Sequence, residues 1–261
     1  MLNKIVLVLM LILGWSCDFT SGLNQDILMA QGYVESQDFQ KAVDLYLRVL
    51  KKNPPKNIRV KIQYQIGEIQ YLYLDQQIKA LDHYQYIVDN VDDPLWQVKA
   101  MEKIADINFS FSRRFDKAIR AYQVLMKFRP RLANYDLYYF RIGESHFQKG
   151  DYQKAKEIFS EVIQQGFNSY ITDSYYHLGL IEFYQKRWDK AVEKWFEYLK
   201  REKQRDKIVR VKFLIANAYE SNEKLKEAYN IYYSLLPDYP NPDVLKARLK
   251  SLYARRVARK R

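Results

Sequence analysis

The chain has 261 residues and a formal net charge of +12, with eight glycines, seven prolines and one cysteine. So few Gly and Pro give too few turn signals for an all-β fold, and a lone thiol allows neither an internal disulfide nor a cysteine zinc site. Tyrosine is the compositional outlier at 23 residues; it buries a ring while keeping its hydroxyl wet, which suits helices with half-exposed faces.

Residues 1–17 read MLNKIVLVLMLILGWSC. Lys4 precedes an apolar run from Ile5 that reaches 11 residues at Trp15. A spanning helix needs roughly 20, so the length fits the apolar core of a secretory signal. The ending resembles a bacterial lipoprotein signal, in which a small residue precedes a cysteine that becomes lipidated; Ser16 and Cys17 match, while Gly14 stands where an aliphatic residue is usual. That resemblance implies a signal peptide over 1–16, palmitate-type lipidation at Cys17 and a short linker over 17–22. Several acyl chains together anchor a protein stably. Gly14-Trp15-Ser16 is also small-x-small, so simple secretion or an uncleaved anchor is a second reading, and a buried helix a third.

From residue 23 onward a motif recurs. The strings DFQKAVDLY, QQIKALDHY, RFDKAIRAY, DYQKAKEIF, RWDKAVEKW and KLKEAYNIY place Ala42, Ala80, Ala118, Ala155, Ala191 and Ala228 at spacings of 38, 38, 37, 36 and 37. Four residues after each alanine comes Tyr46, Tyr84, Tyr122, Phe159, Trp195 or Tyr232, and seven after it a further apolar residue. Those offsets lie on one helical face. Three before the alanine stands Phe39, Phe115, Tyr152, Trp188 or Leu225, whereas the second unit has Gln77 with Ile78 beside it. Twelve or thirteen before it comes a small residue: Ala30, Gly67, Ala105, Gly143, Gly179 or Ala216. These predict a partner helix whose backbone approaches closely. The second and third units carry one extra residue within the hairpin. Pro54, Pro130 and Pro240 each fall twelve residues after their alanine, where the second helix must stop.

This pattern resembles the tetratricopeptide repeat, over residues 23–241 and six units. The resemblance implies an all-α fold: a right-handed solenoid of about six tetratricopeptide-like helical hairpins, with the 36–38 spacing longer than the usual 34. Terminal repeats need caps, and residues 242–261 predict a C-terminal capping helix started by Pro242 and Asp243. This segment holds eight basic residues against one acidic. Arg255, Arg256, Arg259, Lys260 and Arg261 are the candidate contacts for an anionic surface or acidic protein, with nucleic acid the lesser reading. The bland alternative is a solvated cap that complements the helix dipole.

In the family the first helix of each hairpin lines the concave face, where ligands lie. Carried over unit by unit, the resemblance implies a partner groove of Tyr64, Tyr71, Phe109, Phe140, Phe147, Tyr176, Phe183, Tyr184 and Phe213, with Glu68, Asp106 and Glu144 between them. Such a groove suits an extended peptide or helix with apolar anchors and some basic residues; packing between adjacent units is the alternative role for the rings. Lys61 and Lys99 occupy one position of the family's carboxylate clamp, but its accompanying Asn and Lys pattern is missing.

Nothing in the sequence assembles an enzyme, cofactor site or metal site. The glycines form neither GxGxxG nor a phosphate loop, and His83, His146 and His177 lie in different units without H-E-x-x-H spacing. The expectation is a non-catalytic protein-interaction scaffold, lipid-anchored in a bacterial envelope and facing the periplasm. In broad plan it resembles the lipoproteins that assist outer-membrane machines, such as the type IV pilus pilotin and the barrel-assembly lipoprotein. A cytoplasm-facing adaptor and a nucleic-acid-associated repeat using the basic tail are the alternatives.

Overall fold

The computed structural model describes residues 22–259. Residues 1–16, Cys17, Lys260 and Arg261 therefore lie outside the described residues. Among those described are thirteen α-helices. Six hairpins pair α1 (22–35) with α2 (Phe39–Lys51), α3 (Lys56–Leu72) with α4 (Gln77–Asn90), α5 (Pro94–Asp106) with α6 (Phe115–Leu125), α7 (Tyr135–Gln148) with α8 (Tyr152–Gln164), α9 (Ile171–Tyr184) with α10 (Trp188–Leu199), and α11 (Arg205–Ser221) with α12 (Leu225–Leu235). The last helix, α13, runs Pro242–Ala258. Helices that follow one another pack together from α2 to α5 and from α7 to α13. Packing divides the chain into two units, Met1–Ala121 and Tyr122–Arg261, with the division inside α6.

The residue three before each repeat alanine is the first residue of the second helix in all six hairpins. Gln77 fills that place in the second unit: it is buried and donates to Asp75 at 2.7 Å, whereas Ile78 beside it faces solvent.

The small residue of the first helix faces the aromatic of the second. A methyl on Gly67 would meet the Tyr84 ring at 2.8 Å, and one on Gly143 the Phe159 ring at 2.9 Å; on Gly179 it would overlap the indole of Trp195. The close approach expected from the sequence is thus the seating of a ring against a bare backbone. In two hairpins alanine and tyrosine share a core cluster, Ala30 with Tyr46 and Ala216 with Tyr232.

The turn inside each hairpin repeats too. Five residues before the alanine the backbone is left-handed in all six: Gln37 (φ 62°), Asp75 (54°), Arg113 (49°), Gly150 (78°), Lys186 (58°) and Glu223 (57°). In four turns the next N–H bonds the carbonyl five residues back, as Asp151 does to His146 at 2.9 Å and Arg187 to Glu182 at 2.8 Å. That is the Schellman closure of a helix. The second and third hairpins reach six residues back instead, Gln76 to Gln70 and Arg114 to Asn108, both at 2.8 Å. Their extra residue is absorbed there as a widened last turn, a π-helical one at Ile107–Phe111 in the third. Asn108 is buried in that turn and donates to the Ile104 carbonyl at 2.7 Å.

Candidate functional site

Within the first unit, α1 and α3 present parallel rows of side chains at helical spacing. Asn24, Ile27, Gln31, Val34 and Glu35 come from α1, and Ile58, Lys61, Ile62 and Gln65 from α3. With Tyr46 and Trp96 they enclose an open cavity of about 610 Å³. The walls alternate aliphatic side chains with amides, and their one acid and one base cancel. Aliphatic walls reward burial of an apolar side chain, while amides donate to and accept from a peptide backbone. The chemistry suits an uncharged, aliphatic stretch of polypeptide.

The aromatic groove residues chosen from the sequence mostly serve packing. Tyr64 stands edge-on between Tyr84 (5.6 Å) and Trp96 (5.5 Å), and of the three only Trp96 lines the cavity. Tyr71 meets Phe111, and Phe109 meets Phe115. In the second unit Phe140 is only 5% exposed and packs on Phe159 and Tyr170, which removes it from any ligand surface. Phe183 wedges between Trp188 (4.9 Å) and Trp195 (5.7 Å), and Phe213 between Tyr232 and Tyr239. Tyr176 packs on Tyr198. Tyr184, 54% exposed, stacks on Phe147 and Tyr152 and is the most open of the nine.

The carboxylates between them are engaged inside the protein. Glu68 accepts from the Tyr84 hydroxyl at 2.8 Å and pairs with Lys103 at 2.8 Å, joining α4 and α5 through one side chain on α3. Burial first, then this carboxylate, pushes the Tyr84 phenol far above its ordinary range. Glu144 lies 2.8 Å from Arg141 and 3.4 Å from Nε2 of His177. His177 is sandwiched on Phe159, 4.8 Å between centroids, with Phe140 and Phe147 at its edges. The ring is a partly buried packing element of α9.

The basic cap is largely tied down. Arg248 donates to Asn217 (2.8 Å) and Glu220 (3.0 Å), beside the Tyr232 hydroxyl. Arg255 bridges Glu220 (3.2 Å) and Glu223 (2.7 Å), and Arg259 pairs with Glu223. Arg256 lies over the Tyr229 ring at 5.5 Å. Of the five basic residues proposed from the sequence, Arg255 and Arg259 staple α13 to the end of α11.

Helical hairpins in sequence, with a small residue of the first helix set against an aromatic of the second, make the all-α architecture of a tetratricopeptide-like solenoid. The tetratricopeptide repeat family model matches residues 140–207. No curated protein matches the sequence. Among solved structures, the chain is similar to the C-terminal part of a tetratricopeptide repeat-containing protein from Cytophaga hutchinsonii, with a TM-score of 0.64, 17% identity and 84% of each chain covered. It is similar to PilW, a widely conserved type IV pilus biogenesis factor, with a TM-score of 0.56, 13% identity, 88% of this chain and 98% of that one covered. For PilF of Pseudomonas aeruginosa the TM-score is 0.53, the identity 11%, and the coverage 91% and 99%. At these identities the likeness is one of fold.

Proposed function

We propose that this protein is a non-catalytic scaffold that holds an uncharged, aliphatic segment of a partner protein in the cavity between α1 and α3. The observation that carries the reading is the cavity itself, with six aliphatic or aromatic lining residues (Ile27, Val34, Tyr46, Ile58, Ile62, Trp96) and three amides (Asn24, Gln31, Gln65). Replacing Ile27 and Ile58, both only partly buried, with Lys puts two charges into the aliphatic wall, so binding falls by 100-fold or more, at roughly 1.5–3 kcal/mol per lost apolar anchor. Affinity capture with wild type and the double variant tests this. Recovery of the same partner by a variant with an unchanged melting curve would sink it.

The setting we infer is a bacterial envelope, with the chain lipidated at Cys17 and facing the periplasm, assisting assembly of a complex of the pilus or outer-membrane kind. The support is the apolar run ending in Ser16-Cys17 and the shared fold of a pilus biogenesis factor. No helix among the described residues is long and apolar enough to cross a membrane. The intact mass of protein extracted from membranes decides this setting. Loss of residues 1–16 with added acyl mass supports it, and an unprocessed N-terminus overturns it.

A further inference from the structure

The outer face of α13 is left over once the arginine staple is accounted for. Leu245, Leu249 and Leu252 form the buried face, and Arg248, Arg255 and Arg259 are engaged by the acids of α11 and its following turn. The flank away from these arginines carries Lys246, Lys250, Tyr253 and Val257, spaced four, three and four residues apart and therefore in one stripe. All four are exposed, Tyr253 at 62%. Ala247 and Ala254 lie beside them, also exposed. Lys250 has no acidic partner among the described residues, and Lys246 has only Asp243, a pair in which both side chains face water. Lys260 and Arg261 add two further positive charges in sequence.

A terminal capping helix normally turns a polar face outward. This one turns out a mixture of lysines, small residues, a tyrosine and a valine. Positive charge disfavours a second copy of the same face. Nucleic acid would satisfy the lysines but gives Val257, Ala254 and Ala247 nothing apolar to bury against, and Arg248, Arg255 and Arg259, whose guanidinium forks suit phosphate, are already held by Glu220 and Glu223. A bilayer with acidic headgroups answers both properties. Lysines reach the headgroup plane on flexible stems, tyrosine sits at the interface, and small apolar residues let the helix lie close.

We propose that the outer face of α13 lies on an anionic bilayer surface, with Lys246 and Lys250 at the headgroups and Tyr253 and Val257 in the interface. The contact is independent of the partner cavity, which lies in the other unit.

Hydrogen exchange on the full chain tests it, with vesicles of phosphatidylcholine alone and vesicles one-third phosphatidylglycerol. Any hold that the N-terminal segment has on lipid is common to both. The expected result is exchange across 250–258 slowed several-fold only on the acidic vesicles, with the effect removed by high salt. Replacing Lys246 and Lys250 with Gln removes the slowing, while protection in α12 stays as in wild type, showing an intact fold. Equal exchange on the two kinds of vesicle overturns the proposal. So does slowing produced by a soluble oligonucleotide or polyglutamate and not by acidic vesicles.

Discussion

At Gly179 the Trp195 indole occupies the space a methyl would need. Gly179→Ala should therefore destabilise the fold by about 2 kcal/mol through overpacking. Trp195→Tyr removes bulk and the indole N–H bond to the Tyr176 carbonyl at 3.2 Å, and is destabilising by itself. The pair together should cost less than the sum, because Ala with Tyr is the combination seated in the Ala30 and Ala216 hairpins. Urea melts of the four proteins measure the coupling, and strict additivity would contradict the ring-against-backbone account. Glu182 makes a second prediction. Its side chain is 2% exposed and is held by Lys156 at 2.6 Å and by Arg187. Burial pushes its carboxyl upward, but hydrogen bonds from Lys156 and Arg187 outweigh this and hold it below the usual range. A depressed carboxylate contributes stability that is full above the ordinary Glu value of about 4.3 and lost as pH falls through the folded value. Glu182→Gln should thus be less stable than wild type at pH 7, with the gap closing towards pH 3. A gap that widens on acidification would contradict this.

Among the elements, the hairpin turn is the most regular feature and the one most weakly written in the sequence. Its left-handed residue is glycine only at Gly150; elsewhere Gln37, Asp75, Arg113, Lys186 and Glu223 carry a side chain in that conformation. A side chain there costs about 1–2 kcal/mol, partly offset because glycine is freer when unfolded. Lys186→Gly should raise stability by about 0.5 kcal/mol, and Gly150→Ala should lower it by about 1 kcal/mol, both read by denaturant midpoint. The helix pairing was legible in advance because the alanine, its aromatic and the small residue all serve one packed contact. The turns were legible only as a count: the thirteen-residue offset in the second and third hairpins announced one extra residue, but not that it would widen the last turn around Gln70 and Asn108. The cap was legible as a helix, yet the role of its arginines was not, since their partners Glu220 and Glu223 are 28 or more residues away.

For the molecule as a whole, family position led to aromatic rings as the binding surface, and the side chains assign most of them to packing. Rings at these positions fill the spaces between helices, because their area is worth most when buried. The cavity instead uses Ile27, Val34, Ile58 and Ile62 with amides between them, residues that look like ordinary helix faces until α1 and α3 are set side by side. A signal was present in the alternation Asn24, Ile27, Gln31, Val34, which puts amide and aliphatic side chains on one face. Site-specific photo-crosslinking in cells tests the central claim most directly, with the reactive group placed in turn at Gln31, Gln65 and Glu193. Gln31 on α1 and Gln65 on α3 both line the cavity, and Glu193 lies on α10 in the other unit. The account predicts one adduct, of the same mass, from Gln31 and Gln65, abolished by Ile58→Lys and absent from Glu193. An adduct formed from Glu193 and not from either cavity position would contradict it.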